Sequence, residues 1–397
     1  MKEFIDPAYT AEESLPLRYF KGIACNGLER EDLIGTHLKE GARIFPLVNY
    51  KGVSVYLADE STMMASGTFK TLEACLTMAL CRKMGYHKVA FSSGANFGAA
   101  MTLYAQKTGI ETFFFHPRTT LWKLDGRLFP GPRAHLISVH KPENEVKQAA
   151  LTFSGLSGVK HVPEKEWRYL ATSLRAFFVF EYMQKHCMQF GWISQAVCAG
   201  YGPIGFYAKA GQLADEGVWS RDWVPKFLGV QQEAVAPMVR AWEKGHSKIL
   251  DEDIVAPSEE LLAPALYNTN PQAGYSILYD QIVRYGGNMI AVNKQEHLVY
   301  KPLVLDWLDE AGIHLASIKI NGTQRIIEEA GLLGLVGTLK AVDQGLIKEG
   351  EKVLAFLTGG AGMHSGEGAR PGFEIKQADD LNSSLREYVS RHTALPI

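Results

Sequence analysis

The side chain best placed for covalent chemistry is Lys70, which closes the run Ala65-Ser66-Gly67-Thr68-Phe69-Lys70. Apolar residues follow at Leu72, Cys75, Leu76, Ala79 and Leu80. That spacing predicts an amphipathic helix with Lys70 in its first turn and an end near Gly85. A cation there opposes the positive end of the helix dipole, which favours the uncharged amine by about 0.3–1 kcal/mol. An uncharged lysine amine is the form that condenses with an aldehyde. Taken alone, the segment fits a solvated surface charge better.

Two further stretches offer backbone donors for anions. Gly200-Tyr201-Gly202-Pro203-Ile204-Gly205 follows the strand Ala196-Val197-Cys198 and precedes a helix expected from about Phe206. A glycine-rich turn entering a helix exposes N–H groups to the positive helix terminus, which suits a phosphate monoester. Pro203 removes one donor, so its neighbours must serve. A plain βα turn and a dinucleotide site are the other readings. The mid-chain position, with no acidic residue ending a second strand about 20 residues on, weighs against a dinucleotide. Ser92-Ser93-Gly94-Ala95-Asn96 also lies between strand and helix. Two hydroxyls and bare amides at a helix start suit a carboxylate, while capping is the commoner use of Ser and Asn there. Thr358 ends the apolar strand Val353–Leu357, where a local turn bond is the simpler use of its hydroxyl.

Other chemistries find no support in the pattern. The twelve histidines have no metal-ligand spacing, no HExxH occurs, and His116 and His135 on apolar strands read as structural. No GxSxG elbow is present. A net charge of -2 offers no field for nucleic acid or an anionic membrane. No apolar run approaches the roughly 20 residues that span a bilayer, and the first residues lack the apolar core of a signal peptide. Five cysteines without a CxxC pair read as reduced, mostly buried thiols of a cytoplasmic protein.

The elements around these residues alternate. Short β-rich runs at Arg43–Val48 and Val53–Leu57 flank a Lys51-Gly52 turn. Strands at Lys88–Phe91, Ile110–His116, His135–Val139, Trp192–Val197 and Lys226–Val230 alternate with helical stretches, including Asn96–Thr108. The alternation predicts an α/β fold with mostly parallel sheets covered by helices. Residues 1 to about 42 read as a surface wrap, Pro117–Pro132 as a long ordered loop, and Asp251–Pro264 as an acidic connection.

In chain order, Ala65–Lys70, Phe91–Gly98, Ala199–Gly205 and Leu357–Gly360 resemble motifs of the pyridoxal-phosphate enzymes of fold type II, the tryptophan synthase β family. Within it they look closest to the threonine synthase and cysteate synthase branch, and Phe69–Ala74 (F-K-x-L-E-A) is similar to cysteate synthases. The likeness runs from about Phe45 to Gly362. Departures are Thr71-Leu72 where many relatives have D-R, Ala95 and Pro203 where glycine is usual, and no lysine soon after Thr358-Gly359.

The resemblance implies two three-layer α/β domains around a cofactor cleft, with residues 1–84 and 182–397 forming the large domain and 85–181 a small mobile one. It implies a homodimer and pyridoxal 5'-phosphate as cofactor, held covalently by Lys70. Gly200, Tyr201, Gly202, Pro203 and Ile204 would cradle the phosphate, Asn96 would meet the phenolic oxygen and Thr358 the ring nitrogen. Ser92, Ser93, Gly94, Ala95 and Asn96 would hold the substrate carboxylate. A neutral hydroxyl at the ring nitrogen makes a weaker electron sink than an aspartate would, which suits elimination and replacement. The implied reaction is β- or γ-replacement or elimination on an amino acid with a leaving group, above all an O-phospho-amino acid. The nucleophile would be small: sulfite in cysteate synthases, water in threonine synthases. Arg118, Arg133 and Arg175 are candidates for a substrate phosphate. The rivals are a serine/threonine dehydratase-type deaminase, a catalytically inactive accessory protein of the same fold, and a nicotinamide oxidoreductase.

Overall fold

A computed structural model describes residues 1–141, 143–257, 261–320, 322–360 and 367–392. In chain order the strands are β1 (Arg43–Tyr50), β2 (Val53–Asp59), β3 (Lys88–Ser92), β4 (Glu111–Pro117), β5 (Ala134–Val139), β6 (Lys160–His161), β7 (Trp192–Ala196), β8 (Lys226–Gln232), β9 (Gly287–Val292), β10 (Ser317–Ile320), β11 (Thr323–Ile326), β12 (Lys352–Leu357) and β13 (Phe373–Ile375).

The chain divides into two compact units. One comprises Met1–Ile23, Lys39–Phe69 and Arg168–Gly362; the other comprises Ala24–Leu38, Lys70–Trp167 and Met363–Ile397. This division differs from the expected one at 85 and 181. The helix Lys70–Lys83 packs on the helix Asn96–Thr108 and so joins the second unit. The C-terminal segment joins it too, because β13 pairs in parallel with β5.

The first unit holds a six-stranded sheet in the order β1-β2-β12-β7-β8-β9. The β1–β2 hairpin is antiparallel, and Lys51 and Gly52 turn it with φ of 50° and 79°. The remaining pairs are parallel. Buried Val55, Leu57, Leu228, Val230, Val353 and Leu357 pack with Leu332, Val336 and Leu339 of the helix Ala330–Asp343. Parallel strands buried on both faces carry near-continuous apolar sequence, as β12 does; β7 is buried throughout but carries Ser194 and Gln195, which are hydrogen-bonded to Thr338 and Arg175.

The second unit holds a five-stranded, all-parallel sheet in the order β13-β5-β4-β3-β6. Phe113 and Phe115 of β4 pack with Phe153 and Tyr388 on one face. Phe114 faces the Asn96 helix on the other, where Gly98 leaves room for its ring.

Two sequence expectations, on the N-terminal residues and on the cysteines, need correction. The N-terminal residues are no surface wrap: Leu15, Leu17, Tyr19, Ile23 and Leu33 are buried, and the buried Ser14 hydroxyl donates to Glu40 at 3.0 Å. The segment after Pro117, expected as a long ordered loop, holds 3-10 turns at Arg118–Lys123 and Gly126–Leu128, with Leu121, Leu124 and Leu128 buried. Of the cysteines, Cys75 and Cys81 are buried, Cys25 and Cys198 half-buried, and Cys187 exposed. Asp251–Pro264 lies partly outside the described residues, with Asp251–Asp253 a 3-10 turn.

A side chain at position 98 would collide with β4, because a Cβ there would lie 2.0 Å from Cζ of Phe114. Gly98→Val is expected to lower stability by about 1–3 kcal/mol in urea unfolding of the full chain; an unchanged midpoint would contradict this packing.

Candidate functional site

In the first unit, the turn that precedes Lys70 is laced to the continuation of β12. The Phe69 N–H donates to the Thr358 carbonyl at 3.0 Å, Thr68 and Gly359 form an antiparallel bridge, and the Gly360 N–H donates to the Gly67 carbonyl at 3.3 Å. The approach is close: a Cβ on Gly359 would lie 2.8 Å from Thr68 Cγ2. Thr358 is buried there, beside the start of the helix Ala330–Asp343. The two sequence motifs, more than 280 residues apart, thus form one piece of backbone.

Lys70 is the first residue of its helix. Its ammonium is ion-paired with Glu73, one turn on; the lysine side chain is 17% exposed and the glutamate fully buried. The expectation from the helix terminus alone left this carboxylate out. Spacing i, i+3 on a helix was the signal available in the sequence.

The phosphate-loop candidate also needs correction. The helix begins at Tyr201, not near Phe206, so Gly202, Pro203 and Ile204 lie in its first turn. Gly200 is the N-cap, left-handed at φ 80°, and gives no side-chain cap. Pro203 costs the helix nothing there, since the first four N–H groups have no partner within a helix. Behind this turn lies Arg175, and a Cβ on Gly202 would fall 2.4 Å from its Nη1.

Arg175 is almost fully buried. Its guanidinium grips the Glu60 carboxylate through both Nε (2.7 Å) and Nη2, donates from Nη1 to Gln195 Oε1 at 2.7 Å, and lies 4.8 Å from the Phe69 and 4.1 Å from the Phe356 ring centroid. Its hydrogen-bonding fork is committed to the protein. Arg175 is therefore a brace under the Gly202 turn and not a holder of substrate phosphate. Arg118 and Arg133 are exposed.

In the second unit, Ser92 ends β3 and the helix Asn96–Thr108 opens with Ala95 as N-cap, which has no hydroxyl or amide to cap with. Ser93 Oγ accepts instead from the Ala95 N–H at 3.3 Å, and the Ser93 N–H donates to the Phe115 carbonyl. Simple capping by Ser or Asn at the helix start is thus not what this turn does. His116 holds it: Nδ1 lies 2.9 Å from the Ser93 carbonyl and Nε2 3.3 Å from Thr120 Oγ1. A carbonyl only accepts, so Nδ1 carries the proton and the Thr120 hydroxyl donates to Nε2. Burial pushes this imidazole down to about 4, against the two hydrogen bonds.

Among the described residues one trio, His246, Glu252 and Asp253, groups potential metal ligands. The Lys244 ammonium sits on Asp253 at 2.8 Å and on Glu252 at 3.2 Å, so a protein cation already neutralises it. No helix among the described residues is long and apolar enough to cross a membrane.

Two outcomes follow from these contacts. Arg175→Met strands the buried Glu60 carboxylate and should cost about 3–5 kcal/mol in urea unfolding, most of it recovered when Glu60→Leu is added; equal loss in single and double variants would contradict the brace. His116 folds neutral, with its pKa below the ordinary 6.5. Its contribution to stability is full above that value and lost as pH falls toward 4. Between about pH 7 and about pH 5 the parent chain should therefore lose about 2 kcal/mol more than His116→Asn, which keeps a donor to Ser93. Parallel losses would contradict a neutral His116.

Comparisons with known proteins bear on the family and the fold. The profile of the pyridoxal-phosphate dependent enzyme family matches residues 38–359. The cysteate synthase of Methanosarcina acetivorans is 28% identical over 333 residues, covering 78% of this chain and 72% of that one. Among solved structures, Escherichia coli diaminopropionate ammonia lyase aligns at TM-score 0.63 and 16% identity, over 90% of this chain and 92% of that one. Maize serine racemase aligns at TM-score 0.62 and 14% identity, over 94% and 98%. With Lys70 after its clipped turn and a glycine-capped helix start at Gly200, the chain belongs to the pyridoxal-phosphate dependent enzymes of fold type II.

Proposed function

We propose that this chain catalyses replacement at the β carbon of an O-phospho-amino acid, with phosphoserine and sulfite as the first pair to try. The observation that carries the reading is the Phe69–Ala74 segment, similar to cysteate synthases, together with the 28% identity to a protein of that name. In the balanced reaction the bond from the β carbon to the phosphate oxygen breaks, a carbon–sulfur bond forms, and inorganic phosphate leaves.

The residues present fit the cofactor. Lys70 supplies an amine on a backbone fixed by the Phe69–Thr358 bond. The Gly200 cap, lacking a side chain, leaves the first-turn amides of Tyr201 and Gly202 to face a phosphate, and the helix terminus favours its charge. When bound, the cofactor supplies an electron sink for the α carbon. The chain supplies the rest. Lys70 Nζ would hold the cofactor and, as a free amine, would be the base that accepts the α proton. The Ser92–Asn96 turn, held by His116, would offer amides to the substrate carboxylate. Asn96 and Thr358 would be the polar side chains for the cofactor ring. Arg118, just past the end of β4, remains for the substrate phosphate; Arg133 stands at the opposite edge of that sheet, where its Nη1 donates to the Gly109 carbonyl at 3.4 Å, and is set aside. The reading includes a homodimer, which would give cover to exposed Leu298, Val299 and Leu303 on the helix Lys294–Glu310.

The test is turnover of phosphoserine with and without sulfite, read by mass spectrometry of products and by phosphate release, with phosphohomoserine and serine in parallel. Sulfite-dependent cysteate is expected. Lys70→Ala should lower the rate by about a thousandfold or more and remove the absorbance of the bound cofactor. Keto-acid formation independent of sulfite would replace this reading with a dehydratase. Bound cofactor with no turnover of any amino acid would replace it with an inactive relative.

A further inference from the structure

We propose that Glu73 is a positioning residue for Lys70: it docks the lysine as an ammonium whenever Nζ is not covalently engaged. The inference rests on the reading of Lys70 given above and adds to it a partner for the nitrogen. Three observations carry it. The glutamate side chain is fully buried, so its carboxylate has no solvent to stabilise it, and a buried charge persists only when paired. It stands in the first turn of the helix Lys70–Lys83, where the helix terminus favours an anion. Its Oε1 accepts from Lys70 Nζ, one turn away on the same helix face.

The pair differs from the Arg175–Glu60 brace in the chemistry of its cation. A guanidinium fork holds a carboxylate through two bonds and stays charged, whereas an ammonium is a point charge on a flexible stem that can leave. When Nζ takes the α proton, the carbon–hydrogen bond breaks, a nitrogen–hydrogen bond forms and the amine becomes an ammonium. Glu73 then stabilises that product by a charge-assisted hydrogen bond. The same contact holds the side chain before the cofactor is loaded.

The experiment is competitive acetylation of the full-length, cofactor-free protein with acetic anhydride at one fixed pH, read lysine by lysine by mass spectrometry. Only uncharged amines react, and the exposed Lys83 and Lys88 serve as references within the same molecule. Glu73→Gln keeps the size and an acceptor but removes the charge. Its Lys70 acetylation, relative to the references, should rise more than about threefold, and Glu73→Asp should fall between Gln and the parent. A rise of less than about threefold overturns the proposal, since a merely structural glutamate would not change Lys70 selectively. If Glu73→Gln does not fold, Glu73→Asp decides by the same ratio, with any selective rise above the parent in favour and none against. The cofactor reading fails separately: absence of Lys70-dependent cofactor absorbance sinks it whatever the acetylation ratio.

Discussion

The hydrogen bond from the Phe69 N–H to the Thr358 carbonyl fixes the residue before Lys70, and the candidate site is built outward from it. With the Thr68–Gly359 bridge it makes the turn a short extra strand along the end of β12. The helix Lys70–Lys83 starts at the next residue. A reactive lysine needs such a backbone, because its own side chain has four rotatable bonds and must swing between partners. Gly359 is the cost of this arrangement, as the strand approaches Thr68 too closely for a Cβ.

Two buried ion pairs then divide the work of charge. Arg175 and Glu60 lock the first turn of the helix Tyr201–Asp215 to β7 and to the residue after β2. Every contact there is committed, and two aromatic rings enclose the guanidinium. Lys70 and Glu73 bury the carboxylate but leave the lysine side chain partly exposed. The first arrangement is suited to rigidity and the second to release. His116 completes the set as a buried imidazole, its pKa lowered by burial, that ties the Ser93 carbonyl to the Thr120 hydroxyl.

Much of this was legible in the sequence. The strands β3, β4, β5, β7 and β8 and the helices at Lys70 and Asn96 follow from apolar runs and their punctuation, which report burial directly. The start of the Gly200 helix was misplaced by about five residues, because glycine and proline read as loop formers although both are tolerated in a first turn. The Ser92–Asn96 turn was read with capping as its commonest use, and only the coordinates show Ala95 at the cap. Arg175 reads in the sequence as one of three candidate arginines for a substrate phosphate, along with Arg118 and Arg133. It directly precedes the apolar run Ala176–Phe180, and its buried partner, Glu60, lies 115 residues away. Pairings across that separation leave no periodic trace. The division into units was missed for the same reason, since β13 joins its sheet from the far end of the chain.

The central claim is that Lys70 is the residue joined to the cofactor. The most direct measurement is reduction of the cofactor-loaded protein with borohydride, digestion, and mass spectrometry of the peptides. The account predicts a pyridoxyl group on Lys70 and on no other lysine; the group on a different lysine, or on none, would contradict it.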